Sequence, residues 1–325
     1  MDQPLFEKLH AENLVSDDSF QKLTKPVFSI HGELKTLLFL GVFLLSGGLG
    51  IWIYKHLDSI NHLVIVAAIA VLCGGCFGYC LRFKQPFSRG KAASPGVLYD
   101  YTLLLGCLTL LTLIAYLQFQ YAFFGKSPRL AGFIPLLVLF PAAYYWDHLG
   151  VLSMAITNLA AWLGLVVTPL DIWTGNNFND VALIYTALGL GFGLVLAAAA
   201  SKRLGFKAHF SWTYTHFGVH LLFISSLAGM FYYHDSYLFL WFLLVLAWAA
   251  WFYLEAKREK SFYLLLLVAL YTYVGISTAV IRLLLLVNNE QFDSSGLIYT
   301  LFIYFIASGI FAGFFLAREN QKMKP

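Results

Sequence analysis

HLVIVAAIAVLCGGCFGYCLR, residues 62–82, followed by FKQPFSRGK to Lys91, is the stretch on which the fold turns. From His62 to Leu81 there is no acid, lysine or arginine. About 20 such residues make a helix long enough to cross the hydrocarbon layer of a membrane. Immediately beyond it come Arg82, Lys84, Arg89 and Lys91. Working outward, the same unit recurs. Apolar spans run approximately over 36–54, 62–81, 98–119, 130–146, 149–168, 181–200, 213–233, 237–254, 262–287 and 297–317. The gaps between them alternate in charge. One set carries Lys202, Arg203 and Lys207, then Lys257, Arg258 and Lys260, then Arg318, Lys322 and Lys324; the other carries Asp171 and Asp180, or Glu290 and Asp293. Basic short loops remain cytoplasmic, so the alternation predicts orientation as well as membrane residence.

Composition agrees. Only 12% of the 325 residues are charged and 60% are hydrophobic, against about 25% charged in an ordinary soluble domain. Many aromatic residues fall near span ends (Trp52, Tyr144, Tyr145, Trp146, Trp212, Trp251), where amphipathic rings suit the headgroup layer. The net charge of +4 is distributed over loops and forms no patch for nucleic acid. The expected fold is an all-α integral membrane protein of about ten transmembrane helices, with both termini cytoplasmic. Residues 1–33 form a cytoplasmic helical hairpin, 34–317 the transmembrane domain and 318–325 a cytoplasmic tail. The polar start of the chain predicts no cleavable signal, the first span serving as an uncleaved anchor. Lys126 and Arg129 dissent from the charge rule, and the overlong 262–287 segment is expected to tilt or break near Gly275. Small residues at close-packing intervals (Gly74 with Gly78, Gly189 with Gly193, Ser46 with Gly50) predict close helix contacts.

Ionisable and polar groups inside spans are the functional candidates. His216 and His220, four residues apart, share a helix face that could hold a metal or relay protons, or could simply pack. Asp100, Asp147, His148, His216 and His220 all fall at cytoplasmic depth, where they line a polar vestibule if their helices are neighbours; otherwise Asp100 and Asp147 only mark the interface. Gln118, Gln120 and Arg282 fall at the outer depth, Arg282 either snorkelling or meeting an anion. Asn158, near the middle of its span, is expected to bond across to another helix. Cys73, Cys76, Cys80 and Cys107 lie inside spans and read as packing residues rather than a redox pair. No phosphate-binding glycine loop, nucleophile elbow or dinucleotide fingerprint is present in the sequence, and no cofactor is implied.

Three stretches carry a family resemblance: LHAENLVSDDSFQKL (Leu9–Leu23), IAYLQFQYAFFG (Ile114–Gly125) and AYYWDHLGVLSMAITNLAAWLG (Ala143–Gly164). They resemble the bacterial membrane family called domain of unknown function 2157, in its Bacteroidota-type members, over roughly residues 5–170. The resemblance implies a bacterial cytoplasmic-membrane protein with a short N-terminal helical segment, and no reaction, substrate or cofactor. The polar residues in the matching stretches are Gln118, Gln120, Asp147, His148 and Asn158.

Three functions are therefore in play. The first is a transporter-like or lipid- and small-molecule-handling protein, without enzymatic activity. The second is a scaffold or assembly subunit, contacting other membrane proteins through residues 1–33 or small-residue helix faces. The third, ranked last, is a metal enzyme built on His216 and His220. Membrane lipids are the expected partners of all three.

Overall fold

The computed structural model describes residues 61–125, 129–167, 181–233, 237–287 and 294–323, with isolated positions between 12 and 55. The N-terminal hairpin, the first span and the pairing of Ser46 with Gly50 lie outside the described residues, although several isolated positions between 37 and 55 are helical. The chain divides into two compact units, Met1–Ile65 and Val66–Pro325. The second holds the helical bundle and begins four residues into the helix that opens at His62.

Nine helices succeed one another among the described residues: α1 (His62–Arg82), α2 (Val97–Tyr121), α3 (Arg129–Trp146), α4 (Leu149–Val167), α5 (Val181–Leu204), α6 (Phe210–Tyr232), α7 (Leu238–Arg258), α8 (Phe262–Val287) and α9 (Ser294–Met323). Seven are long and apolar enough to cross a membrane: α1, α2, α3, α5, α7, α8 and α9. α4 has a shorter apolar stretch, Leu149–Gly164. α6 is long enough but too polar to be counted with them. It is also the most deeply buried, with Ser211, Thr213, Ser225 and Ser226 all turned inward. A polar helix is tolerable in a bilayer only when its neighbours cover it. Here α4, α5, α7 and α8 do so.

Two apolar clusters fill the bundle. One joins α2, α3 and α4 around Leu103, Leu139, Val151 and Leu152. The other joins α6, α7 and α8 around Phe223, Val245 and Leu265. α5 and α6 contribute to both and so bind the two halves together. Their contact is close because of glycines: a Cβ at Gly218 would stand 2.8 Å from Val195 Cγ2 and 3.1 Å from the Gly191 carbonyl. At Gly229 a Cβ would collide with the indole of Trp241 in α7.

These are different glycines from the expected ones. Among the described residues nothing lies within 4 Å of a Cβ placed at Gly74, Gly78, Gly189 or Gly193. The four-residue spacing identifies a glycine face on each helix but not the face that meets a neighbour. Nor does α8 break at Gly275. The helix is continuous from Phe262 to Val287, and Gly275 instead admits Val245 of α7 at 3.0 Å from its virtual Cβ. Residues 318–323 continue α9 as helix.

Contacts across the bundle test the alternation of the gaps. Lys202 of α5 pairs with Glu255 and Glu259 at the end of α7. Lys257 pairs with Glu319 of α9 at 3.3 Å, and Lys84 meets the Tyr145 hydroxyl. The basic gaps therefore share one end of the bundle, its basic end. At the opposite end, Trp162 of α4 donates to the Arg129 carbonyl of α3 at 3.0 Å.

Candidate functional site

The densest polar assembly lies at the basic end, where three loops converge on Asp147. This residue turns the chain between α3 and α4 at φ 56°, a left-handed conformation that aspartate tolerates better than most residues. Its side chain is 3% exposed and its Oδ1 lies 3.0 Å from Lys207 Nζ, which is 1% exposed. His209 Nε2 approaches the same oxygen at 2.7 Å. The Ala92 N–H donates to Oδ2 at 2.5 Å. Lys207 is engaged on its other sides: Nζ donates to the Gly90 carbonyl at 3.3 Å and sits 5.3 Å from the Phe87 ring centre. Its backbone N–H donates to the Arg89 carbonyl at 2.8 Å, and Ser201 Oγ donates to its carbonyl at 2.9 Å. A buried pair is stable only when each partner's remaining donors and acceptors are satisfied. This one is, and it ties together the 83–96, 147–148 and 205–209 loops.

The sequence alone does not single out Lys207 or His209. There Lys207 reads as one more orienting cation, and neither spacing nor periodicity signals a partner 60 residues away.

His148 follows Asp147 directly. Its Nδ1 accepts the Val151 N–H at 3.2 Å, capping α4 from the residue before its first turn. Nε2 faces Asp100 Oδ1 at 3.8 Å, and Asp100 is itself held by the Ser94 hydroxyl at 2.6 Å. Burial pushes the imidazole below its ordinary value, against the opposing pull of Asp100 and Asp147. Capping acts in the same direction, because a protonated Nδ1 cannot accept and a helix N-terminus repels a cation.

The expected vestibule thus divides in two. Asp100, Asp147 and His148 come together, but His216 and His220 lie further along α6 and face α8. His220 Nδ1 is 2.6 Å from the Tyr271 hydroxyl, and His216 stacks on Trp212 with ring centres 5.3 Å apart. The two imidazole centres are 4.7 Å apart. Among the described residues no group of three or more His, Cys, Asp or Glu could hold a metal ion.

At the opposite end Gln118 closes α2, its Nε2 donating to the Gly125 carbonyl at 2.8 Å and its Oε1 accepting the Phe124 N–H at 3.1 Å. Gln120 is half-buried beside it, outside that turn's hydrogen bonding. Asn158 of α4 donates to the Gly132 carbonyl of α3 at 3.0 Å, an interhelix bond. Arg282 is half-buried in the last third of α8. The four cysteines are buried free thiols, and Cys73 Sγ reaches the Gly106 carbonyl at 3.6 Å.

None of these groups lines either of two large cavities among the described residues, which flank α7. One of about 610 Å³ opens between α5, α6 and α7 at the basic end. Another of about 570 Å³ lies between α7, α8 and α9, walled by Val268, Ala269, Ile276, Phe311 and Ala312 with the rings of Tyr253, Tyr273 and Tyr304. Thr272 contributes to that wall, while its hydroxyl is shut away from the cavity and has no hydrogen-bond partner among the described residues. Below it α9 is fastened by Glu319, 4% exposed, which accepts from Lys257, Lys322 and Tyr253. Beside it Tyr273 and Ser308, and Ser277 and Tyr304, pair at 3.1 and 3.0 Å. Thr272 is likewise invisible to sequence reasoning, since an apolar run with scattered hydroxyls has no distinguishing pattern.

Comparison with known proteins bears out the resemblance. Residues 7–152 match the model of the family described as "Predicted membrane protein (DUF2157)". With seven membrane-length apolar helices among the described residues, the chain has the make-up of a multi-pass membrane protein, and its N-terminal 45% (residues 7–152 of 325) is similar to that family. Asp100, Gln118, Gln120, Asp147 and His148 fall within the matched residues, whereas Asn158, His216, His220, Arg282 and both cavities fall beyond them. No curated protein and no solved structure matches the chain.

Proposed function

We propose that this protein is a non-enzymatic, multi-pass protein of the bacterial cytoplasmic membrane that handles a lipid or another amphipathic small molecule between α7, α8 and α9. The reading includes about ten spans with both termini inside, supported by the basic loops gathered at one end of the bundle. The observation that carries the function is the cavity of about 570 Å³, whose apolar wall is edged by the hydroxyl pairs of Tyr273 with Ser308 and of Tyr304 with Ser277. Ligand pockets span roughly 300–1,000 Å³ and combine apolar lining with a few polar groups that orient the ligand. Native mass spectrometry of protein extracted in mild detergent tests this. The expected result is an adduct of reproducible mass, lost when Ala269→Trp or Ala312→Trp fills the cavity. Wild-type protein without an adduct, or an adduct indifferent to both substitutions, contradicts it.

The scaffold reading has one observation in its favour. Gly74 and Gly78 on α1, and Gly309 and Gly313 on α9, meet no neighbour within 4 Å among the described residues, and such small-residue faces suit close contact with another helix. Co-purification of a stoichiometric membrane partner after gentle extraction, with no small-molecule adduct, favours this alternative.

A further inference from the structure

We infer that the groove between the basic ends of α5, α6 and α7 binds the headgroup of an anionic phospholipid, independently of the α7–α9 cavity on the other side of α7. The groove encloses about 610 Å³. Its inner wall is apolar, built from Val195, Ala198 and Phe252, and its mouth carries Lys202, Arg203 and Arg258. Glu255 lies beneath these cations at 16% exposure and spreads two of them apart: its Oε1 is 3.1 Å from Lys202 Nζ and its Oε2 2.5 Å from Arg258 Nη2. Lys202 is also held by Glu259.

Two carboxylate oxygens do not exhaust the three protons of the Lys202 ammonium, nor one the five of the Arg258 guanidinium. Arg258 remains 71% exposed and Lys202 36%, so both have donors left for a second acceptor. With Arg203 added, the mouth stays net positive even when Glu259, just outside the lining, is counted. Such a site suits a phosphate, and the guanidinium group can take it through two oxygens.

The apolar wall decides which phosphate. A free anion would gain nothing from Val195, Ala198 and Phe252, whereas an acyl chain would cover them. Trp251, 57% exposed on the rim, is the residue type that settles at headgroup depth. Basic pockets between membrane helices at the cytoplasmic face are favourable for anionic headgroups.

The test uses full-length protein in nanodiscs of mixed phosphatidylglycerol and phosphatidylcholine, with lipid retention read by native mass spectrometry after release. Wild type retains phosphatidylglycerol preferentially, and Arg203→Gln with Arg258→Gln lowers that preference on the order of tenfold. Arg203→Gln alone, which leaves the Glu255 pairs intact, lowers it by a smaller factor and serves if the double variant does not fold. Lys260→Gln, an exposed cation of the same end that lines neither cavity, leaves the preference unchanged. Equal retention of the two lipids by wild type, an unchanged preference in the arginine variants, or displacement of the lipid by inorganic phosphate would overturn the inference.

Discussion

At the scale of the residue, Asp147 and Lys207 behave as a unit. Removing one partner of a buried pair strands the other charge, at a cost of about 3–5 kcal/mol, whereas removing both can be nearly neutral. Lys207→Met should therefore lower thermal stability in detergent sharply, and Asp147→Asn with Lys207→Met should recover most of the loss. A double variant as unstable as the sum of the singles would mean that the two side chains are not coupled. His148 makes a prediction about pH. Its folded value is depressed by burial, so below about pH 6.5 the unfolded chain takes up a proton that the folded chain resists. Its contribution to stability thus falls as pH drops from about 6.5 toward the folded value, and is flat above. His148→Asn keeps an acceptor for the α4 cap and should remove that part of the slope. A variant whose stability follows pH as the wild type does would show that His148 is not the titrating group.

At the scale of the element, the glycines separate two kinds of position. Gly218→Ala places a methyl against Val195 and the Gly191 carbonyl, and overpacking of this kind is unfavourable by about 1–3 kcal/mol. Gly189→Ala meets nothing within 4 Å among the described residues and should be neutral or slightly stabilising, since alanine favours helix over glycine by up to about 1 kcal/mol. Thermal unfolding of the two variants checks this; equal effects would contradict the α5–α6 contact. The contrast also marks what is legible in the sequence. Helix positions are, because a hydrophobic run of span length admits few other structures in a membrane: α2, α3 and α4 begin and end within a few residues of the expected spans. Facing is not. In a span that is apolar all round, no periodicity separates the lipid side from the protein side. Hence spacing points to Gly189 and Gly193 where packing uses Gly191 and Gly218, and the burial of α6 shows only in its lower hydropathy.

At the scale of the molecule, the charge alternation is legible because insertion reads it directly from the chain. The joining of Asp147 to Lys207, and the opening between α7 and α9, depend on contacts between residues far apart in sequence, which no local pattern records. Orientation can be checked by labelling. Lys260→Cys, in the α7–α8 turn, should react with a membrane-impermeant maleimide only after permeabilisation. Phe123→Cys, beyond the end of α2 and 68% exposed, should react in intact spheroplasts. The reverse pattern would invert the topology; the native cysteines are buried and add little background. The most direct measurement of the central claim is an experimental density map of the protein in lipid nanodiscs, inspected between α7, α8 and α9. An elongated density along Val268, Ile276 and Phe311 with its polar end beside Tyr273 and Ser308 is the predicted result. A cavity closed by α9 packed flat against α7 and α8, with no density between them, would contradict it.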